Sequence, residues 1–177
     1  MRRTASLLTA ATLAVALVLT GSAAARSSAG LNIYAAASLT EAFKAYDGSE
    51  QYNFAGSNVL ETQIRQGAPA DIFASAAPLN TERLFAAGIV DKPVTFTANR
   101  LALIVPKSNP AGIESVYDLR TKDAKLVVAN SAVPVGSYTR TVLKRMGLTS
   151  VLNKVVSQES DVKAVTGKVA LGQADAG

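Results

Sequence analysis

The stretch YNFAGSNVLETQIRQGAPADIFAS, residues 52–75, carries a complete architectural unit. A short apolar run, YNFA (52–55), ends at Gly56, and Ser57 stands where a helix cap belongs. NVLETQIRQ follows, Gly67 stops it, and DIFAS (71–75) is apolar again. Strand, small-residue turn, helix, glycine stop and strand is the grammar of an α/β chain, because a glycine just past a helix supplies the left-handed residue that ends it.

The theme recurs outward in both directions without repeating its letters. Further strands are expected at LNIYA (31–35), RLALIVP (100–106) and KLVVAN (125–130), whose near-continuous apolar character suits burial on both faces of a parallel sheet. Ser38 with Glu41 three residues on reads as a capping box opening a helix, and APLNTERLFAAG (77–88) reads as a helix closed by Gly88. From Pro134, Tyr138, Val142, Leu143 and Met146 make one apolar stripe up to the stop at Gly147. After Ser160 and Asp161, the residues Val162, Val165 and Val169 share a face. Helix patterning lapses over PVTFTANRLALIVP (93–106), so a crossing between two lobes, 26–95 and 96–177, is expected there. The last helix should feed another buried strand, and the second lobe is therefore expected to be incomplete, the chain being truncated at Gly177.

Arg2 and Arg3 precede a mostly apolar run, Leu7 to Thr20, that ends in GSAAAR. Residues 1–25 thus read as a secretory signal peptide with cleavage after Ala25, and the product is expected to be exported to the periplasm or the outer face of the cell membrane. LTGS (19–22) looks like a bacterial lipoprotein signal in which Ser22 takes the place of the lipidated cysteine, so no lipid anchor is expected. The mature chain carries 16 basic against 13 acidic residues, a mild excess that is no nucleic-acid signature.

Two absences narrow the chemistry. With no cysteine there are no disulfides and no thiolate metal sites. With no histidine there is no Ser-His-Asp triad, no imidazole-ligated zinc and no imidazole acid/base step. Neither G-x-G-x-x-G nor a P-loop occurs, and AGSNV around Ser57 lacks the second glycine of a nucleophile elbow. No cofactor is expected.

Helix starts remain as the chemical feature. First-turn N–H groups lack intrahelical partners, the aligned peptides concentrate positive charge there, and small neighbours let an anion reach the backbone. Ser38 lies in AAAS and Ser57 in AGSN, while Val135 and Val162 begin the two later helices. Singly, each start is more often an ordinary cap or proline entry than a site. Their recurrence at strand ends, where α/β ligand crevices form, favours anion binding.

NIYAAASLTEAF, FAGSNVLETQIRQGAPADIFASA, VANSAVPVGSYT and GQADAG closely resemble the periplasmic molybdate-binding proteins of ABC-type importers. The resemblance implies a two-lobed type II periplasmic binding protein fold, each lobe a mostly parallel sheet flanked by helices. It implies no catalysis, a monomer, and a membrane permease as partner. Carried onto this sequence, Ser38 and Ser57 would give hydroxyl and amide donors to molybdate or tungstate, and Val135 and Val162 would give backbone amides. The family's further tyrosine after ADAG would lie past Gly177. The 19 residues from Ser38 to Ser57 are fewer than usual in the family, a shortening of about 7 residues or two turns. Asp161 would set a carboxylate beside the anion unless it turns its oxygens to the helix as a cap. The alternatives are a carrier of sulfate or another tetrahedral oxyanion, a secreted Ser-Lys hydrolase using a lysine such as Lys44, and a truncated product that does not bind.

Overall fold

The computed structural model describes residues 30–177, so the expected signal peptide and the Ser22 position lie outside the described residues. The first sheet is parallel in the order β2–β1–β3, with β1 at Asn32–Ala36, β2 at Gln51–Ala55 and β3 at Ile72–Ala74. A central strand flanked on both sides must be apolar on both faces, and Ile33, Ala35 and Ala36 on β1 are all buried. The crossover from β1 to β2 carries a 3₁₀ turn, Ala37–Leu39, and the short helix α1 (Thr40–Tyr46), which buries no residue of its own. Even so, β1 and β2 pair along their whole length, from Asn32 opposite Gln51 to Ala36 opposite Ala55.

Helices α2 (Ser57–Arg65) and α3 (Pro78–Ala86) pack together through the fully buried Leu60 and Leu84. Between them lies a buried carboxylate, Glu61, which accepts from Asn80 Nδ2 at 2.8 Å and Arg65 Nε at 3.2 Å. Its pairing is what makes its burial tolerable.

The second sheet pairs β4 (Leu126–Ala129) with β5 (Val155–Glu159) in parallel, after the short α4 (Asp118–Thr121). Helices α5 (Pro134–Arg145) and α6 (Val162–Ala170) accompany it. Val127, Ala129, Val165 and Val169 form one core cluster, and Leu126, Val128, Leu143 and Leu148 belong to another. β4, buried at all four positions, separates the two.

The glycine stops read from sequence hold. Gly147 has φ +69°, its N–H donates to Lys144 O, and Leu148 N–H reaches back to Leu143 O, bringing two buried leucines together. Gly67, Gly88 and Gly172 end α2, α3 and α6 by the same paired bonds.

Three expectations need correction. RLALIVP (100–106) forms no strand, because a strand needs a partner and only Ile104 has one, exchanging two 2.9 Å backbone bonds with Gly177. Residues 175–177 in turn lie beside β4, where Val127 N–H donates to Ala176 O. β5 was not expected, since Ser157, Gln158 and Glu159 give it a polar reading. It is an edge strand whose polar groups are consumed locally: Lys168 Nζ lies 2.6 Å from both Ser157 Oγ and Glu159 Oε1, and Arg140 donates to Gln158. The capping box at Ser38 does not form either. A 3₁₀ turn already begins at Ala37, so Ser38 sits inside it, and Glu41 pairs with Lys163 instead.

Candidate functional site

Four helix starts converge on one cavity. From the first sheet come the 3₁₀ turn at Ala37–Leu39 and the start of α2, and from the second come the starts of α5 and α6. Ser38, Ser57, Val135 and Val162 all line a cavity of about 830 Å³ between them. Its wall is largely apolar, including Leu103, Val105, Leu119, Val128 and Met146, and its volume far exceeds what a tetrahedral ion fills. The stripe expected on α5 serves both purposes: Leu143 is buried in the core cluster, Met146 packs against that cluster, and the stripe also borders this space, where Val142 stays 39% exposed.

Small residues form the end where the helices meet. Ala36, Ala37, Ala55 and Gly56 surround the two serines. Gly56 is required by close approach: a Cβ there would stand 2.6 Å from the carbonyl oxygen of Ser160, at the threshold of α6. Gly136 is required likewise, because a Cβ would collide with the carbonyls of Ala129 and Asn130 at the end of β4. The two glycines let helix starts approach neighbouring backbone.

The donors differ in kind. Ser57 is 1% exposed, and its Oγ accepts from Ala76 N–H at 3.0 Å instead of capping its own helix, whose cap is Gly56. Ser38 is exposed inside its turn. Pro134 occupies the first position of α5 and Val135 the second, while Val162 opens α6. First-turn amides such as those of Val135 and Val162 have no intrahelical acceptor. Asp161 is the α6 cap and accepts from Ala164 N–H at 2.9 Å, which turns that carboxylate oxygen toward the helix.

Charged side chains at the cavity wall are Arg100, Glu114 and Asp161. Outside the lining, Lys163 of α6 pairs with Glu41 of α1, and the hydrogen bond from Lys163 is the first cause of a Glu41 carboxyl held below its usual value. Lys44, considered as a base for Ser38, instead places its ammonium over the Phe54 ring at 5.8 Å. The serine and lysine that do meet are Ser157 and Lys168, and there Glu159 takes both, accepting from Ser157 at 2.5 Å. An ammonium held by a carboxylate has no lone pair with which to accept the serine proton.

Sequence reasoning missed Ala76, Asn99 and Tyr138. Asn99 Nδ2 donates to Ala76 O at 2.7 Å, and the Tyr138 hydroxyl stands 3.5 Å from the same oxygen. The one hint was an asparagine in an otherwise patternless crossing.

Residues 27–177 match the family model described as bacterial extracellular solute-binding protein. A molybdate-binding protein of Mycobacterium tuberculosis is 39% identical over 155 residues, covering 82% of this chain and 58% of that protein. One from Escherichia coli K12 is 29% identical over 171 residues, covering 83% of this chain and 63% of its own. The chain thus spans about three fifths of the length of these curated relatives. Among solved structures, a substrate-binding domain assigned to a molybdenum ABC transporter of Clostridium difficile aligns with a TM-score of 0.54 at 33% identity, over 84% of this chain and 69% of that one. The periplasmic molybdate-binding protein of Azotobacter vinelandii aligns with a TM-score of 0.60 at 19% identity, over 83% and 69% of the two chains, a likeness of fold.

Proposed function

The chain belongs to the bacterial extracellular solute-binding protein family, and from that premise we propose that it captures molybdate or tungstate outside the cytoplasm and delivers it to the permease of an ABC importer. The anion sits between the lobes 26–95 and 96–177, held by hydroxyls of Ser38 and Ser57 and by amides of Val135 and Val162. The observation that carries this reading is the convergence of all four residues on one cavity, at its small-residue end.

A dianion leaving water must recover strong hydrogen bonds, and charge-assisted bonds from oriented neutral donors supply them. Helix starts add a favourable field without a counter-cation that would have to be desolvated as well. The protein acts as a monomer, contributes no catalytic step and needs no cofactor. Sulfate carries the same charge and shape, so discrimination rests on the space left between the four donors.

Isothermal titration of the chain with molybdate, tungstate and sulfate tests this. Saturable binding of molybdate and tungstate, with sulfate clearly weaker, is expected. Tighter sulfate binding would transfer the reading to a sulfate carrier. Absence of heat with all three would overturn it in favour of a product that binds no oxyanion.

A further inference from the structure

We infer that Asn99, and to a lesser degree Tyr138, are positioning residues that aim the Ser57 hydroxyl through Ala76. The inference rests on the oxyanion reading above and names what sets the geometry of one donor in that site.

A serine hydroxyl has one proton to give and two lone pairs to receive with. At Ser57 the Ala76 N–H occupies a lone pair at 3.0 Å, and the side chain is otherwise enclosed. With that acceptor direction fixed, the proton is turned away from Ala76, and the cavity borders Ser57 on its open side. The orientation of this donor therefore depends on where Ala76 is held.

The loop around Ala76 does not hold it by itself. Ser75 Oγ donates to Ala77 O at 2.7 Å and accepts from Ala77 N–H at 3.2 Å, so the local turn closes around Ala77 and leaves the Ala76 carbonyl to outside partners. Those partners come from elsewhere in the chain. Asn99 lies in the crossing segment, 23 residues away, and its 2.7 Å bond is the stronger. Tyr138 lies on α5 in the other lobe, 62 residues away, and its 3.5 Å contact is at the outer limit of a hydrogen bond. Ala76 is thus a junction at which the crossing and the second lobe meet the residue that orients a first-lobe donor. A small displacement there is costly, since an oriented site tolerates about half an ångström before its donors lose alignment.

The test is a double-mutant cycle on the full chain, read by molybdate titration. Asn99→Ala is expected to raise the dissociation constant about tenfold, and Tyr138→Phe about threefold, when Ser57 is present. In a Ser57→Ala background neither is expected to change it by more than about 1.5-fold, because the group they position is gone. Asn99 is exposed and Tyr138→Phe removes only an oxygen, so the melting temperature of the unliganded chain should stay unchanged. Equal losses in both backgrounds, or no loss in either, would overturn the positioning role. If the unsubstituted chain takes up no molybdate, the oxyanion reading itself falls and this inference falls with it.

Discussion

Of the four candidate residues at the cavity, the two from the first lobe offer side-chain hydroxyls and the two from the second offer backbone amides. Ser38 and Ser57 come from the elements of the first sheet, and at Ser57 the hydroxyl already belongs to a tertiary bond with Ala76. From the second sheet come Val135 and Val162, whose side chains are apolar and whose polar contribution is a first-turn N–H. A hydroxyl can rotate and can be deleted by a conservative substitution. An amide at a helix start is fixed by the helix, offers no rotor to order, and survives almost any side-chain change. The two lobes would thus hold one ligand by devices of different mutability, and the contrast can be broken from either side.

The largest effect is expected at Ser57. Ser57→Ala removes a charge-assisted donor, at about 1.5–3 kcal/mol, and also orphans the part-buried Ala76 N–H, at about 1 kcal/mol. Molybdate affinity should fall at least tenfold in titration, and the unliganded protein should also melt earlier because the second loss is present without ligand. On the other side, alanine at Val162 should do little, whereas Val162→Pro deletes the amide itself. Proline suits the first helical position, and Asp161 before it is already extended at φ −160° and ψ 175°, so the helix start is preserved. Affinity should drop about tenfold or more by the same titration, with far-ultraviolet circular dichroism unchanged. Should Val162→Ala weaken binding as much as Val162→Pro, the backbone account of the second lobe is wrong.

What the letters revealed follows the same division between local and distant causes. The strands of the first sheet were legible to within about two residues because each is a compact apolar run bounded by small residues. The helix ends at Gly67 and Gly147 were legible because a left-handed residue is a local demand with few solutions. β5 was hidden because an edge strand can spend polar residues, here Ser157, Gln158 and Glu159, on Lys168 and Arg140 that the sequence places 9 to 18 residues away. RLALIVP misled for the opposite reason: an apolar run without a neighbour is not a strand. At the site, small residues beside serines gave Ser38 and Ser57, but the Ala76 junction is made by a backbone carbonyl, which leaves no mark in a sequence. Glu41 had a local explanation as a capping box and a distant one in Lys163, and the distant one prevailed.

Asp161 sharpens the comparison further, since it sets a carboxylate at the helix start that offers the Val162 amide. As a cap it accepts from Ala164, and asparagine caps about as well as aspartate. Asp161→Asn therefore keeps the helix start and removes a negative charge near the anion. Molybdate binding should tighten by a few-fold, on the order of 0.5–1 kcal/mol, and the gain should shrink as salt is raised. Unchanged affinity would mean that the cap already neutralises the carboxylate's influence.

The smallest effect belongs to the ion pair between α6 and α1, Lys163 and Glu41. Their side chains are 46% and 75% exposed, so solvent screens most of the attraction. Glu41 is held below its usual 4.5, chiefly by the hydrogen bond from Lys163. A carboxyl with a lowered value helps the paired state above its ordinary value and loses that help as pH falls through the lowered one. Lys163→Gln should therefore weaken molybdate binding by no more than about twofold at neutral pH and low salt, and by nothing measurable near 1 M salt. As pH falls through that lowered value the substituted and unsubstituted chains should converge, since protonated Glu41 leaves Lys163 without a charged partner. A loss that persisted in high salt would mean that Lys163 acts on the anion itself, and the second lobe would then hold its ligand with a side chain after all.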